Sequence, residues 1–261
     1  MSSEAPVSND QDQKIGIILI GDELLSGTRH DKHMGHVIKM LRARNMSLSW
    51  VRIIGDTQKE IVDTLNQTKL LDDVVFSFGG IGATPDDQTR AAAAEAFEQK
   101  LIRHPQATAI LEEKFGEDAY PNRILMAELA EHSELIPNPI NQVPGFKLAN
   151  HHFVPGFPNM AWPMIEWVLD EYYFYLTNEI PNIEWRWDVI GVPESSLINM
   201  MNDILATFEG VGVSSLPSTE ERGNLIDFGL KGPEPNVEKA AKWMEEYFIE
   251  NQIEHRFRGT P

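Results

Sequence analysis

Two stretches of the chain carry residue types and spacings suited to phosphate chemistry. The first, Gly21-Asp22-Glu23-Leu24-Leu25-Ser26-Gly27, sets two adjacent carboxylates and a hydroxyl after an apolar run. The second, Gly79-Gly80-Ile81-Gly82-Ala83-Thr84-Pro85-Asp86-Asp87-Gln88-Thr89, sets three glycines before two more carboxylates. Glycines let the backbone approach an anion closely, and their N–H groups, with the N-terminus of a following helix, attract it. Phosphates and carboxylates repel each other unless a divalent cation lies between them, so the pairing points to Mg²⁺ or a similar hard ion. Acidic residues at a helix start also act as caps, and Gly-Gly as a turn; on this loop alone the two readings stand level.

The elements that must position these stretches alternate between strand and helix. Ile15 to Ile20 is a continuous apolar run, as expected of a central strand buried on both faces. A helix is expected from about Asp31 to Arg44, a strand near Leu48 to Ile54, and a helix carrying Ile61, Val62, Leu65 and Leu70. A third strand, Asp73 to Phe78, runs into the glycine loop, with the next helix expected to begin around Pro85-Asp86-Asp87. Both chemical stretches therefore leave the C-terminal ends of predicted parallel strands, where open α/β sheets hold their ligands. Leu101 to Ile136 reads as two or three short helices, Phe146 to Pro155 as paired strands around Asn150, and Pro158 to Leu176 as a long aromatic helix. The expected fold is a three-layer α/β/α domain with a mostly parallel sheet over residues 15–176. After a linker at Thr177 to Asn182, a small β-α-β-β-α domain is expected over 183–261, with strands at 185–191, 211–216 and 224–230. Its first helix carries a stripe of Leu197, Met200, Met201, Ile204, Leu205 and Phe208.

The 261 residues include 22 Lys+Arg against 40 Asp+Glu, a formal charge of −18, and no cysteine. Disulfides, thiolate metal sites and cysteine nucleophiles are thereby excluded. The acidic surface argues against nucleic-acid binding. Met1 to Lys14 is polar and acidic, expected to be a disordered tail and not a signal peptide, so a cytoplasmic protein with no membrane span is expected. His30, His33 and His36 have a spacing that suits a transition-metal site, but a polar helix start is the favoured reading. His151 and His152 are expected to be exposed in a turn. The aromatic run from Trp162 to Tyr175 is read as core or as a subunit interface, and a homo-oligomer is expected.

Together these motifs resemble the MoaB/Mog-like molybdopterin-binding domain, in particular the N-terminal region of the CinA (competence/damage-inducible) family. The likeness spans about Ile15 to Leu176 and includes Asn138-Pro139, Pro144-Gly145-Phe146 and Pro155-Gly156-Phe157-Pro158. It departs at Ala83, where the family has Pro, at Asp31-Lys32-His33, where it has Asp-Thr-Asn, and at Asn159-Met160-Ala161. There the family's Pro-Gly-Val-Pro-x-Glu-Met pattern loses its acidic residue. The wider family's Gly-Gly-Thr-Gly-x-x-x-Arg-Asp motif has Ile81 for its Thr and Asp86 for its Arg, while Asp87 falls on its functional Asp. The resemblance implies metal-dependent hydrolysis of an ADP-ribose-type pyrophosphate. Catalytic residues would be Asp86 and Asp87, and Asp22, Glu23 and Asp87 would hold a divalent metal (Mg, Mn or Co). Gly21, Ser26, Gly79, Gly80, Gly82, Thr84, Pro155 and Gly156 would bind the nucleotide or pterin. The alternatives are a non-catalytic molybdopterin- or nucleotide-binding module and a role in molybdenum cofactor biosynthesis. Full-length CinA proteins add a C-terminal deamidase domain; 261 residues are expected to leave no room for it.

Overall fold

The computed structural model describes residues 13–177, 180–218 and 225–260. Most of the expected tail (Met1 to Asp12), part of the expected linker (Asn178 and Glu179) and the expected strand start at Asn224 lie outside them. The chain divides into two compact units, one ending at Thr177 and one beginning at Asn178.

In the first unit the order is β1 (Ile15–Ile20), α1 (Asp22–Leu25), α2 (His33–Arg42), β2 (Leu48–Ile54), α3 (Gln58–Thr68), β3 (Val74–Phe78) and α4 (Thr89–Ala96). Then follow β4 (Leu101–Arg103), α5 (Pro105–Phe115), two short 3-10 turns, β5 (Glu128–Ala130), β6 (Glu134–Ile136), β7 (Gly145–Leu148), β8 (His151–Val154) and α6 (Pro158–Tyr172). The main sheet runs β2-β1-β3-β8-β7-β6. Its first four strands are parallel, and β7 and β6 are antiparallel to their neighbours.

The apolar run of β1 explains its central place. Alternate side chains leave a strand on opposite faces. Ile15, Ile17 and Leu19 pack with Val37 and Leu41 of α2 and with Ile165 and Leu169 of α6. Ile18 and Ile20 join Ile61 and Leu65 of α3, Ala92 to Ala94 of α4 and Leu111 of α5. Two helical layers thus cover one sheet. On the β2 side, Gly16 makes room for the Trp50 indole, whose atoms lie about where a Cβ would stand. The indole N–H of Trp50 donates to Asp73 at 2.6 Å.

The structure corrects several expectations. Residues 101–136 hold three short strands as well as helix, because Leu101–Arg103 pairs with Glu128–Ala130 across the sequence. Leu70 lies beyond the end of α3 and is exposed. His151 and His152 are buried, not exposed, because β8 enters the sheet beside β3 and sends one imidazole into each layer. In the aromatic run, read as core or as a subunit interface, Trp162, Trp167, Tyr172 and Tyr173 pack in the core, and Phe174 and Tyr175 are exposed.

The second unit has β9 (Asn182–Ile190), a 3-10 turn, α7 (Ile198–Thr207), β10 (Gly212–Pro217), β11 (Leu225–Pro233), α8 (Glu234–Glu250) and β12 (Glu254–Gly259). Its sheet is antiparallel in the order β10-β11-β9-β12. Trp187, Phe228, Met200, Met244 and Phe248 form its core, whereas Leu205 of the expected stripe is exposed. No helix among the described residues is long and apolar enough to cross a membrane.

Candidate functional site

The C-terminal ends of β1, β2, β3 and β8 open into a cavity of about 560 Å³. Its wall includes Gly79 to Thr84, Asp86, Asp87, Pro155, Gly156, Glu23 and Asp56. A cavity of this size accommodates a cofactor-sized ligand.

The glycine loop is shaped by what surrounds it. Gly79 and Gly80 have φ of 105° and 68°, in the left-handed region that glycine adopts without cost. A Cβ on Gly79 would stand 2.7 Å from the Ile20 carbonyl oxygen, and one on Gly80 would stand 2.2 Å from the Thr89 hydroxyl. Thr89 is fully buried; its N–H donates to Gly80 O at 2.9 Å and its hydroxyl to Gly79 O at 3.0 Å. The Gly79 N–H donates to Val154 O at 3.0 Å, which ties the loop to β8. Among the described residues, the N–H groups of Gly80, Ile81, Gly82 and Ala83 meet no acceptor. A run of unpaired amides in a cavity wall is the kind of backbone from which anion-binding concavities are built.

The acidic pair does not begin a helix as expected, since α4 starts at Thr89. Instead residues 84–87 form a turn, in which Asp87 N donates to Thr84 O at 2.9 Å. The Asp87 carboxylate folds back onto the loop, with Oδ2 accepting from the Thr84 N–H at 2.9 Å and from its hydroxyl at 2.6 Å. Asp87 therefore already satisfies the donors of Thr84. Asp86 is exposed and lines the cavity.

The first stretch is less of a loop than expected. Asp22 to Leu25 form a single helical turn, and Gly21 N donates to Ile54 O at 3.0 Å. Glu23 lines the cavity; Gly21, Asp22 and Ser26 do not. Ser26 pairs with the Thr28 hydroxyl at 3.1 Å. Asp22 is turned to Asp56: each carboxylate accepts the other's N–H, at 3.2 and 3.3 Å.

Asp56 was not singled out from the sequence, although it follows β2 at the same sheet edge. Burial raises its carboxyl pKa, and the charges of Asp22, Glu23 and Asp86 raise it further against the Asp22 hydrogen bond. Glu23, Asp56 and Asp86 thus concentrate negative charge in a wall that also holds Arg123 and Arg29, whose guanidinium lies 3.7 Å from Glu23. The expected metal set of Asp22, Glu23 and Asp87 is not assembled. Among the described residues, no three His, Asp or Glu side chains stand close enough to hold a metal ion. The histidines at 30, 33 and 36 diverge: His36 stacks on Trp162 at 3.7 Å, and His33 packs on Phe78. His33 Nε2 donates to the Gly156 carbonyl at 3.2 Å and so secures the Pro155-Gly156 loop, and burial lowers its pKa.

Arg90, at the start of α4, was also missed. Its guanidinium is buried and donates to Gly82 O at 2.8 and 3.2 Å, to Leu125 O at 2.6 Å and to Glu128 O at 3.1 Å. Only a planar fork spans three carbonyls in this way. Arg90→Lys is expected to cost about 2 kcal/mol of stability and to weaken phosphate-ligand binding by tenfold or more. Parallel urea melts and titrations check this, and unchanged binding would show that Gly82 needs no such anchor.

Residues 16–173 match the family described as "Probable molybdopterin binding domain". A CinA-like protein of Syntrophotalea carbinolica is 30% identical over 188 residues, covering 69% of this chain and 46% of that protein. A protein of Pyrobaculum calidifontis is 26% identical over 235 residues, covering 86% of this chain and 88% of its own. The chain spans about half the length of the CinA-like relatives it matches. The crystal structure of the protein CinA, of unknown function, from Thermoplasma acidophilum superposes with a TM-score of 0.56 at 24% identity. It covers 61% of this chain and 97% of that one, a likeness of fold.

Proposed function

The chain belongs to the probable molybdopterin-binding domain family, and from that premise we propose that the cavity binds a phosphorylated pterin or nucleotide and hydrolyses a pyrophosphate of the ADP-ribose type. The observation that carries this reading is the run of four unpaired amides, Gly80 to Ala83, in the cavity wall beside the carboxylates of Glu23, Asp56, Asp86 and Asp87.

The donor set fits a hard divalent cation brought in with the ligand. It is all oxygen and short of a closed cage, and Mg²⁺ is commonly held by one or two carboxylates together with substrate phosphates. Such an ion supplies charge neutralisation between phosphate and carboxylate. Glu23 and Asp86 would hold it. The loop amides would orient the phosphate, as backbone donors aimed at developing negative charge do. Asp56, whose carboxyl pKa is raised by burial, would take a proton from the attacking water. Water adds to one phosphorus as the bridging P–O bond breaks, and two phosphate monoesters leave. Asp87 keeps the loop in shape through Thr84.

Incubation with ADP-ribose, FAD and NAD in Mg²⁺, Mn²⁺ or Co²⁺ tests this reading. Metal-dependent release of AMP is expected, reduced at least ~100-fold in Asp86→Asn; no turnover of any of the three rejects hydrolysis. A second reading, binding without turnover, is favoured by the hold of Asp87 on Thr84 and by Met160 in the wall where the resembled pattern has an acid. Calorimetry showing ADP-ribose binding without product would support it.

A further inference from the structure

Part of the same cavity wall has no role in handling phosphate. Phe115, Met126, Val143 and Met160 line it, each half-buried, and one carboxamide, Asn141, stands among them. The 138–143 turn fixes that carboxamide. Asn138 is buried; its Oδ1 accepts from the N–H groups of Ile140 at 3.0 Å and Asn141 at 3.4 Å, and its Nδ2 donates to Val143 O at 3.0 Å. The Asn141 Oδ1 is in turn occupied by the Val143 N–H at 3.0 Å. This bond settles which end of the amide is free. Its Nδ2 faces the Met160 sulfur at 3.2 Å. A thioether is a weak acceptor, and an amide nitrogen carries two N–H donors. Asn141 is therefore a pre-oriented donor in an apolar setting with most of its capacity unspent, where a stronger acceptor gains more than it would in water. Phe115 is the ring of this part of the wall, with the Arg123 guanidinium 4.7 Å and the Lys114 ammonium 5.2 Å from its centroid.

We infer that this part of the wall binds the fused heteroaromatic ring of the ligand, with the Asn141 amide donating to an acceptor on the ring edge. The inference rests on the reading that the glycine loop holds the ligand's phosphate. It makes Asn141 a specificity residue: purine or pterin rings, which present ring nitrogens and carbonyl oxygens, are taken in preference to a bare sugar phosphate. Asn141→Asp keeps an oxygen for the Val143 N–H and removes the donor.

Calorimetric titration of the full chain with AMP, neopterin monophosphate, ribose 5-phosphate and inorganic phosphate tests the inference. At least one of the ring-bearing phosphates is expected to bind about tenfold or more tightly than ribose 5-phosphate. In Asn141→Asp that ratio is expected to fall about tenfold, with the thermal melt showing a folded protein. Equal affinities in the wild type, or an unchanged ratio in Asn141→Asp, overturn the ring assignment and leave the phosphate loop standing. Failure of all four probes to bind overturns the phosphate reading, and this inference with it.

Discussion

Gly80→Ala is expected to lose ~2–5 kcal/mol of stability and most of the affinity for any phosphate-bearing ligand. Two independent costs add. An alanine held at φ 68° sits in the left-handed region, at about 1–2 kcal/mol. Its methyl would also stand 2.2 Å from the Thr89 hydroxyl. Thr89 cannot give way, because it is fully buried and both its N–H and its hydroxyl are bonded to the loop; overpacking of this kind costs about 1–3 kcal/mol. Relief by rotation of the loop would move the four amides together. The double variant Gly80→Ala/Thr89→Ala separates the costs. Removing the hydroxyl should recover the steric part but not the torsional part, giving a coupling energy of about 1 kcal/mol or more in a double-mutant cycle. Strict additivity would place the clash elsewhere.

The second large effect is on acid stability. His151 and His152 lie next to each other in β8 and are both buried, one in each layer. His152 Nδ1 donates to Val75 O at 3.2 Å, so its Nε2 accepts from the Tyr173 hydroxyl, also at 3.2 Å. His151 Nε2 meets the Thr68 hydroxyl at 2.8 Å. Burial lowers the pKa of His151 to about 4 and that of His152 to about 3. In the unfolded chain both titrate near 6.5. Below that pH the unfolded state takes up protons that the folded state refuses, so stability falls as pH drops and is regained above it. At about 1.4 kcal/mol per pH unit per group, the loss between pH 6.5 and 4 is of the order of 5 kcal/mol, a large share of the total for an ordinary domain. Urea midpoints from pH 7.5 to 4.5 should fall accordingly, and NMR should find both rings neutral in the folded protein at pH 5. Titration of either ring near 6.5 in the folded state would contradict this account.

These two regions also show what the sequence made legible. The β1 run and the Gly79–Gly82 loop were readable because their signals are local: five large aliphatic residues within six positions, and glycines at 79 and 80 where the backbone turns left-handed. The histidine pair was misread because its burial depends on Thr68 and Tyr173, partners remote in sequence, and on β8 joining β3. The start of α4 was misplaced for a related reason. Asp86 and Asp87 have the composition of a helix cap, but Asp87 closes a turn onto Thr84 and helix begins only where Thr89 locks into Gly80. Asp56 follows Gly55 with nothing local to mark it; only the spatial convergence of β1, β2 and β3 brings it to Glu23 and Asp86. Arg90 stood alone in an alanine-rich helix, with nothing local to mark its three carbonyl partners. Asp22 and Glu23, adjacent on a helical turn, part company: Asp22 goes to Asp56 while Glu23 goes to the cavity.

The central claim is that the amides of Gly80 to Ala83 hold the phosphate of a ligand. A crystal structure of the chain grown with ADP-ribose and Mg²⁺ tests it most directly. Phosphate oxygens hydrogen-bonded to those amides, on the side of the loop that faces Glu23, Asp56 and Asp86, are the expected result. A phosphate bound elsewhere, with the four amides left to water, would contradict it.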